Sequence, residues 1–195
     1  MSKQLALGSI LGAIILFVWS AIAWMLIPWP GEPLRSFTNE DAVLQAIKEN
    51  ASRSGTYIVP NMPKRTPGMT DQQYNAAVQA VQEKMGRSPF VFVSVRLEPF
   101  TSMAKPLVIQ FFTQLVVALL ATFLLLQTSG LSYKSRIIFL TVVGAIIFVG
   151  GHVDEWNWWG FSNAYMLMQL GAIVIGWFLA SLVVAKFVSG KPAGA

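Results

Sequence analysis

The chain has 195 residues, 54% of them hydrophobic and 12% charged, with a mean hydropathy of +0.56. Soluble domains carry about 25% charged residues, so half that share with this apolar content points to a membrane protein. The sequence holds no cysteine, which excludes disulfides, zinc–thiolate sites, iron–sulfur ligation and a cysteine nucleophile, and its net charge is +5.

The first apolar block, LALGSILGAIILFVWSAIAWMLIPW at residues 5–29, contains no charge. Roughly 20 apolar residues cross a bilayer as a helix, so transmembrane helix 1 is predicted here. Lys3 and Ala21-Ile22-Ala23 also allow a signal peptide over residues 1–23. The apolar run continues through Met25, Leu26 and Ile27, which favours the span. Gly8 and Gly12 form a small-xxx-small motif, which lets backbones approach closely in lipid. That pair is the first candidate for docking another protein or a second copy. Trp24 and Trp29 sit at the outer end, where aromatic belts mark the membrane interface.

Residues 30–105 read as a small α+β domain. DAVLQAIKENA spaces Val43, Leu44, Ile47 and Ala51 as one helix face, with Gly55 as its end. TYIVP is a short strand stopped by Pro60. A second helix is predicted from Thr70 to Met85, capped by Thr70 or Asp71. PFVFVSVRLEP, 89–99, alternates as a strand. A two-stranded sheet with two helices follows, in a unit small enough to need a partner or the membrane surface for stability.

Three further apolar runs complete the expectation of a membrane all-α four-helix bundle with the α+β domain inserted between helices 1 and 2. They are 106–127, 137–153 and 164–186. The second carries Gln110, Thr113 and Gln114 on one face, and these amides need partners; Gln169 on the fourth run is the candidate. The fourth carries a packing stripe of Ala172, Gly176 and Ala180. Gly150 and Gly151 read as close-packing positions on the third.

Charge distribution sets the orientation. One face would hold Lys3, Lys134, Arg136, Lys186 and Lys191 with no acid. The other holds nine basic and seven acidic residues in 30–105, plus Asp154 and Glu155, and is neutral. The whole net charge of +5 then lies on one side. By the positive-inside rule that side is cytoplasmic, with both termini, and residues 30–105 are extracytoplasmic. The pI near 9.7 is thereby a topology signal, and no nucleic-acid partner is expected.

GGHVDEWNWWGF, 150–161, holds the only histidine and three of the seven tryptophans. His152, Asp154 and Glu155 are the candidate metal ligands. A catalytic zinc needs three protein ligands and a structural one four. His152 and Glu155 share a face only if the helix continues to 156, so an interfacial histidine bonded at a helix end is favoured. Trp156, Trp158 and Trp159 read as headgroup anchors. No cofactor is predicted, and no hydrolase triad, Walker A loop or GxGxxG is present.

The pattern resembles small bacterial inner-membrane proteins with no assigned activity. GTYIVPN (55–61), PFVFVSV (89–95), GLSYKSR (130–136) and WNWWGFS (156–162) carry the likeness. It implies a bacterial cytoplasmic membrane and supplies no catalytic residues. The expected function is a non-enzymatic accessory, assembly or scaffold component of a membrane complex, contacting the bilayer and either another membrane protein or itself. The rivals are a metal- or redox-linked protein using His152, Asp154 and Glu155, and a small-molecule sensor or transport protein with a pocket between the outer domain and the bundle.

Overall fold

The computed structural model describes residues 2–189. Lys191, counted above with the cations of one face, lies outside them. The chain divides into two compact units, one built from the chain up to Arg35 and from Thr101 on, the other from Ser36–Phe100.

Among the described residues of the first unit four helices are long and apolar enough to cross a membrane, which points to a multi-pass membrane protein by length and composition. α1 runs Ser2–Met25. It stops short of the apolar run's end because Pro28 and Pro30 lack the backbone donor that a further turn needs. The chain turns back there, and the Trp29 indole donates to the Ala23 carbonyl at 2.6 Å.

The helices of the second unit and of the later spans follow in chain order. α2 is Glu40–Asn50 and α3 is Asp71–Met85. α4 is Ala104–Gln127, with Pro106 tolerated in its first turn. α5 is Tyr133–Trp159, capped by Ser132, which accepts from the Ser135 N–H at 3.2 Å. It continues past Val153 and ends at Gly160, whose φ of 76° is the left-handed conformation glycine adopts without penalty. At 27 residues α5 is about 40 Å long, more than the roughly 30 Å hydrocarbon core. The fourth span is α6, Asn163–Leu170, a π-helical turn at Gly171–Ile175, and α7, Gly176–Phe187.

α1 packs on α4 and α7, and α5 packs on α7; α4 and α5, though consecutive, touch little. Glycines make these approaches possible. A Cβ at Gly8 would lie 2.6 Å from Thr122 Cγ2, and one at Gly12 would lie 3.1 Å from the Ala118 Cβ. Gly8 and Gly12 are thus covered within the chain by α4 and α7 and do not form an open docking face. Tryptophans fill the other sockets. Trp177 lies against Gly144, with a would-be Cβ 2.5 Å from its own, Trp19 against Gly176 at 2.7 Å, and Trp29 against Gly171. Ala180 is fully buried, while Ala172 is half-buried. Gly150 and Gly151 meet nothing within 4 Å, so they pack no neighbouring helix.

The hydroxyls add little between helices. Ser9, Thr113, Thr141 and Ser181 all donate to carbonyls of their own helix, at 2.6–3.0 Å. Cross-helix bonds lie mainly near the ends. Arg136 Nη1 donates to the Val188 carbonyl at 2.8 Å, and the Tyr133 hydroxyl donates to that of Leu182 at 2.8 Å.

In the second unit β1, Gly55–Val59, pairs antiparallel with β2, Val91–Val95, with Tyr57 opposite Val93. Gly55 opens the strand rather than ending α2, whose C-cap is Ala51. The helices are well capped. Asn39 accepts from the Ala42 N–H at 3.0 Å. Thr70 and Gln73 form a reciprocal capping box on α3. Yet neither helix buries a residue, and in the whole unit only Val95 and Pro60 are buried.

Gly144→Ala is expected to destabilise the bundle by about 1–3 kcal/mol through overpacking against Trp177. Gly150→Ala, in open space, is expected to be neutral or slightly stabilising through helix propensity. Thermal unfolding of both variants in detergent checks the contrast.

A second test concerns Glu98. The Ser54 hydroxyl, donating at 2.7 Å, and the residue's own backbone N–H hold its carboxyl below the usual carboxylate range. A depressed pKa favours folding above the ordinary carboxylate pKa, and that contribution disappears as pH falls through the lowered value. Ser54→Ala is expected to move the Glu98 titration upward toward the ordinary value, as read by NMR.

Candidate functional site

A cluster of polar side chains forms where α5 meets α6. The extension of α5 past Val153 puts His152 and Glu155 on one face at i, i+3. His152 Nδ1 lies 2.7 Å from Glu155 Oε2, with the side chains 21% and 32% exposed. A proton on Nδ1 donated to the carboxylate fixes the ring's orientation, and Phe148 stacks on it at 6.1 Å.

Across the helix pair stands Gln169, 8% exposed. Its Nε2 lies 3.4 Å from His152 Nδ1 and donates to the Tyr165 hydroxyl at 3.3 Å. With Nδ1 bonded to Glu155, the tyrosine carries the amide's stronger contact. Tyr165 is itself held between Phe161 and Trp24, at 4.9 and 6.4 Å. Its placement begins at Ser162, whose side chain caps α6 by accepting from the Tyr165 N–H at 3.1 Å.

Asp154 is exposed on another side of α5 and shares no bond with the pair. Among the described residues no group of three or more His, Cys, Asp or Glu could hold a metal ion. His152 and Glu155 supply two ligands, one fewer than a catalytic zinc site. A His–carboxylate pair can orient an imidazole for proton transfer. Here its remaining neighbours are an amide, a phenol and aromatic rings, with no serine or lysine nucleophile among the bonded groups.

The tryptophans divide by role. Trp156 is half exposed and donates Nε1 to Asn163 Oδ1 at 2.8 Å, bridging α5 to α6. Trp158 and Trp159 are exposed near the end of α5, and Trp24 on α1. Trp29 is half-buried on Gly171 and serves packing between the first and fourth spans.

The residue pattern alone points Gln169 toward Gln110 and Gln114 and gives Tyr165 no role. The signal was available, since His152 and Gln169 lie at similar distances from the Gly160–Ser162 turn and so at similar depth. In the structure Gln169 donates to Tyr165 beside His152, away from Gln110 and Gln114. Those two amides hold no hydrogen bond among the described residues.

No family model matches the chain, and no curated protein or solved structure is significantly similar to it.

His152→Ala and Glu155→Ala are each expected to destabilise the protein modestly. Their coupling in a double-mutant cycle is expected to be about 0.5–1 kcal/mol for a partly exposed pair. Elemental analysis of wild-type protein purified without chelator is expected to show no stoichiometric zinc, copper or iron. A stoichiometric metal lost in His152→Ala would establish a metal centre instead.

Proposed function

We propose that this chain is a non-enzymatic multi-pass protein of the bacterial cytoplasmic membrane, acting as an accessory, assembly or scaffold component of a membrane complex. Both termini are cytoplasmic in this reading, and the Ser36–Phe100 unit is extracytoplasmic, where it engages the partner. The charge asymmetry supports the orientation, since Lys3, Lys134, Arg136 and Lys186 stand with no acid among them.

The observation that carries the reading is the second unit's missing core. Its helices are capped and its strands paired, so the local structure is specified. But α2 and α3 bury nothing, and Leu44, Val59, Phe90, Val91 and Phe100 are 44–59% exposed. Amphipathic elements of this kind gain most of their stability from a packed apolar face. An exposed apolar surface on specified elements is the usual mark of a binding surface. The polar cluster around His152 fits the same reading, as a device that locks α5 to α6.

Crosslinking mass spectrometry on protein extracted in mild detergent is expected to find one reproducible neighbour linked through Lys48, Lys64 or Lys84 of this unit. Leu44→Glu with Phe90→Glu is expected to abolish the link while the spans stay folded. A protein with no reproducible neighbour would overturn the proposal. Single cysteines test orientation cleanly in a cysteine-free chain. Ser52→Cys is expected to react with an impermeant maleimide in intact spheroplasts, and Ser135→Cys only after lysis.

A further inference from the structure

Gln110, Thr113 and Gln114 lie on α4 at i, i+3 and i+4, so they share a face. Gln110 and Thr113 are exposed and Gln114 is half-buried. Gln110 and Gln114 lie roughly 9 and 15 Å along the axis from Ala104, well inside a hydrocarbon layer of about 30 Å. The Thr113 hydroxyl donates to the Ile109 carbonyl at 3.0 Å. The two carboxamides have no partner among the described residues, and Gln169, a buried amide of the fourth span, donates to Tyr165.

An amide facing lipid has no water to bond, and leaving it unpaired costs on the order of several kcal/mol. Interhelical bonds between such side chains are a principal source of helix association in membranes. The face is open in part, since Gln110 and Thr113 are exposed while Gln114 and Val117 are half-buried.

We infer that this face of α4 is a self-association surface, and that its occupant is the same face of a second copy of the chain. A two-fold axis along the membrane normal keeps every residue at its own depth, so Gln114 meets Gln114 and Gln110 meets Gln110. A carboxamide both donates and accepts, so it is complementary to itself. A two-fold pair satisfies both amides at each level without a second kind of partner. The inference goes beyond the functional reading above and needs only that α4 spans the membrane. Failure of the partner test on the Ser36–Phe100 unit leaves it standing.

Single cysteines on the full chain in native membranes test it. Thr113→Cys, exposed, and Val117→Cys, half-buried, lie on the amide face, and Leu119→Cys lies on another, exposed one. Oxidation is expected to yield a covalent homodimer from the first two and not from Leu119→Cys. In proteoliposomes, Gln110→Leu with Gln114→Leu is expected to raise the dimer dissociation constant about tenfold by energy transfer between labelled copies. The cysteine variants keep both glutamines, so the test survives if the double variant fails to fold. Equal crosslinking at position 119, no crosslinking at 113 and 117, crosslinking at these positions to a different protein, or a folded double variant with unchanged dimerisation would each overturn it.

Discussion

In a bilayer the apolar side chains gain little by leaving lipid for protein, so helices must be held by close contact. Here that contact is steric and uses glycine. Trp177 occupies the space of a side chain at Gly144, Trp19 does so at Gly176 and Trp29 at Gly171, while Gly8 and Gly12 admit α4 and α7. Hydroxyls within the spans bond to their own carbonyls and contribute little between helices. The placement of the His152 cluster follows from this packing. α5 is fixed against α7 through Gly144, so its extension carries His152 to the level of Gln169.

The contrast between the units has the same origin. The spans have large apolar faces and precise small-residue contacts. The Ser36–Phe100 unit has caps, a strand pair and little else to bury. Local signals suffice for its elements, since capping and turn chemistry act within a few residues. A core needs apolar area from several elements at once, and about 65 residues in two short helices and two short strands supply little. The proposed role in an assembly follows from that deficit.

Spans and strands were legible in sequence because they rest on local pattern. Four uncharged runs, the Thr70 cap and the alternation from Phe90 to Arg96 each declare themselves within a short window. What was not legible depends on which residue faces which helix. Gly8 and Gly12 carry a motif that serves equally inside a chain or between chains, and only the fold shows that Thr122 and Ala118 fill the space. Gly144 and Gly171 look ordinary until a tryptophan from a distant segment covers them. Gly150 and Gly151 show the reverse, a glycine pair with nothing against it. The apolar run of the third span ends at Val153, but α5 continues to Trp159, with Glu155 bonding back to His152 and Gly160 as the cap.

The π-helical turn at Gly171–Ile175 accommodates an additional residue in the fourth span. Each residue of a regular helix rotates the next by about 100°. Winding the same number of residues here as a regular helix would swing Trp177, Ala180, Ser181 and Val184 away from their neighbours. It would also disturb the Gly171 carbonyl, which accepts from the Trp19 indole at 3.3 Å. The wide turn therefore sets the phase of the span's second half. Loss of one residue between Leu170 and Trp177 would be absorbed by closing the turn, whereas a gained residue would re-phase half a helix, and the glycines at 171 and 176 leave no room for a side chain.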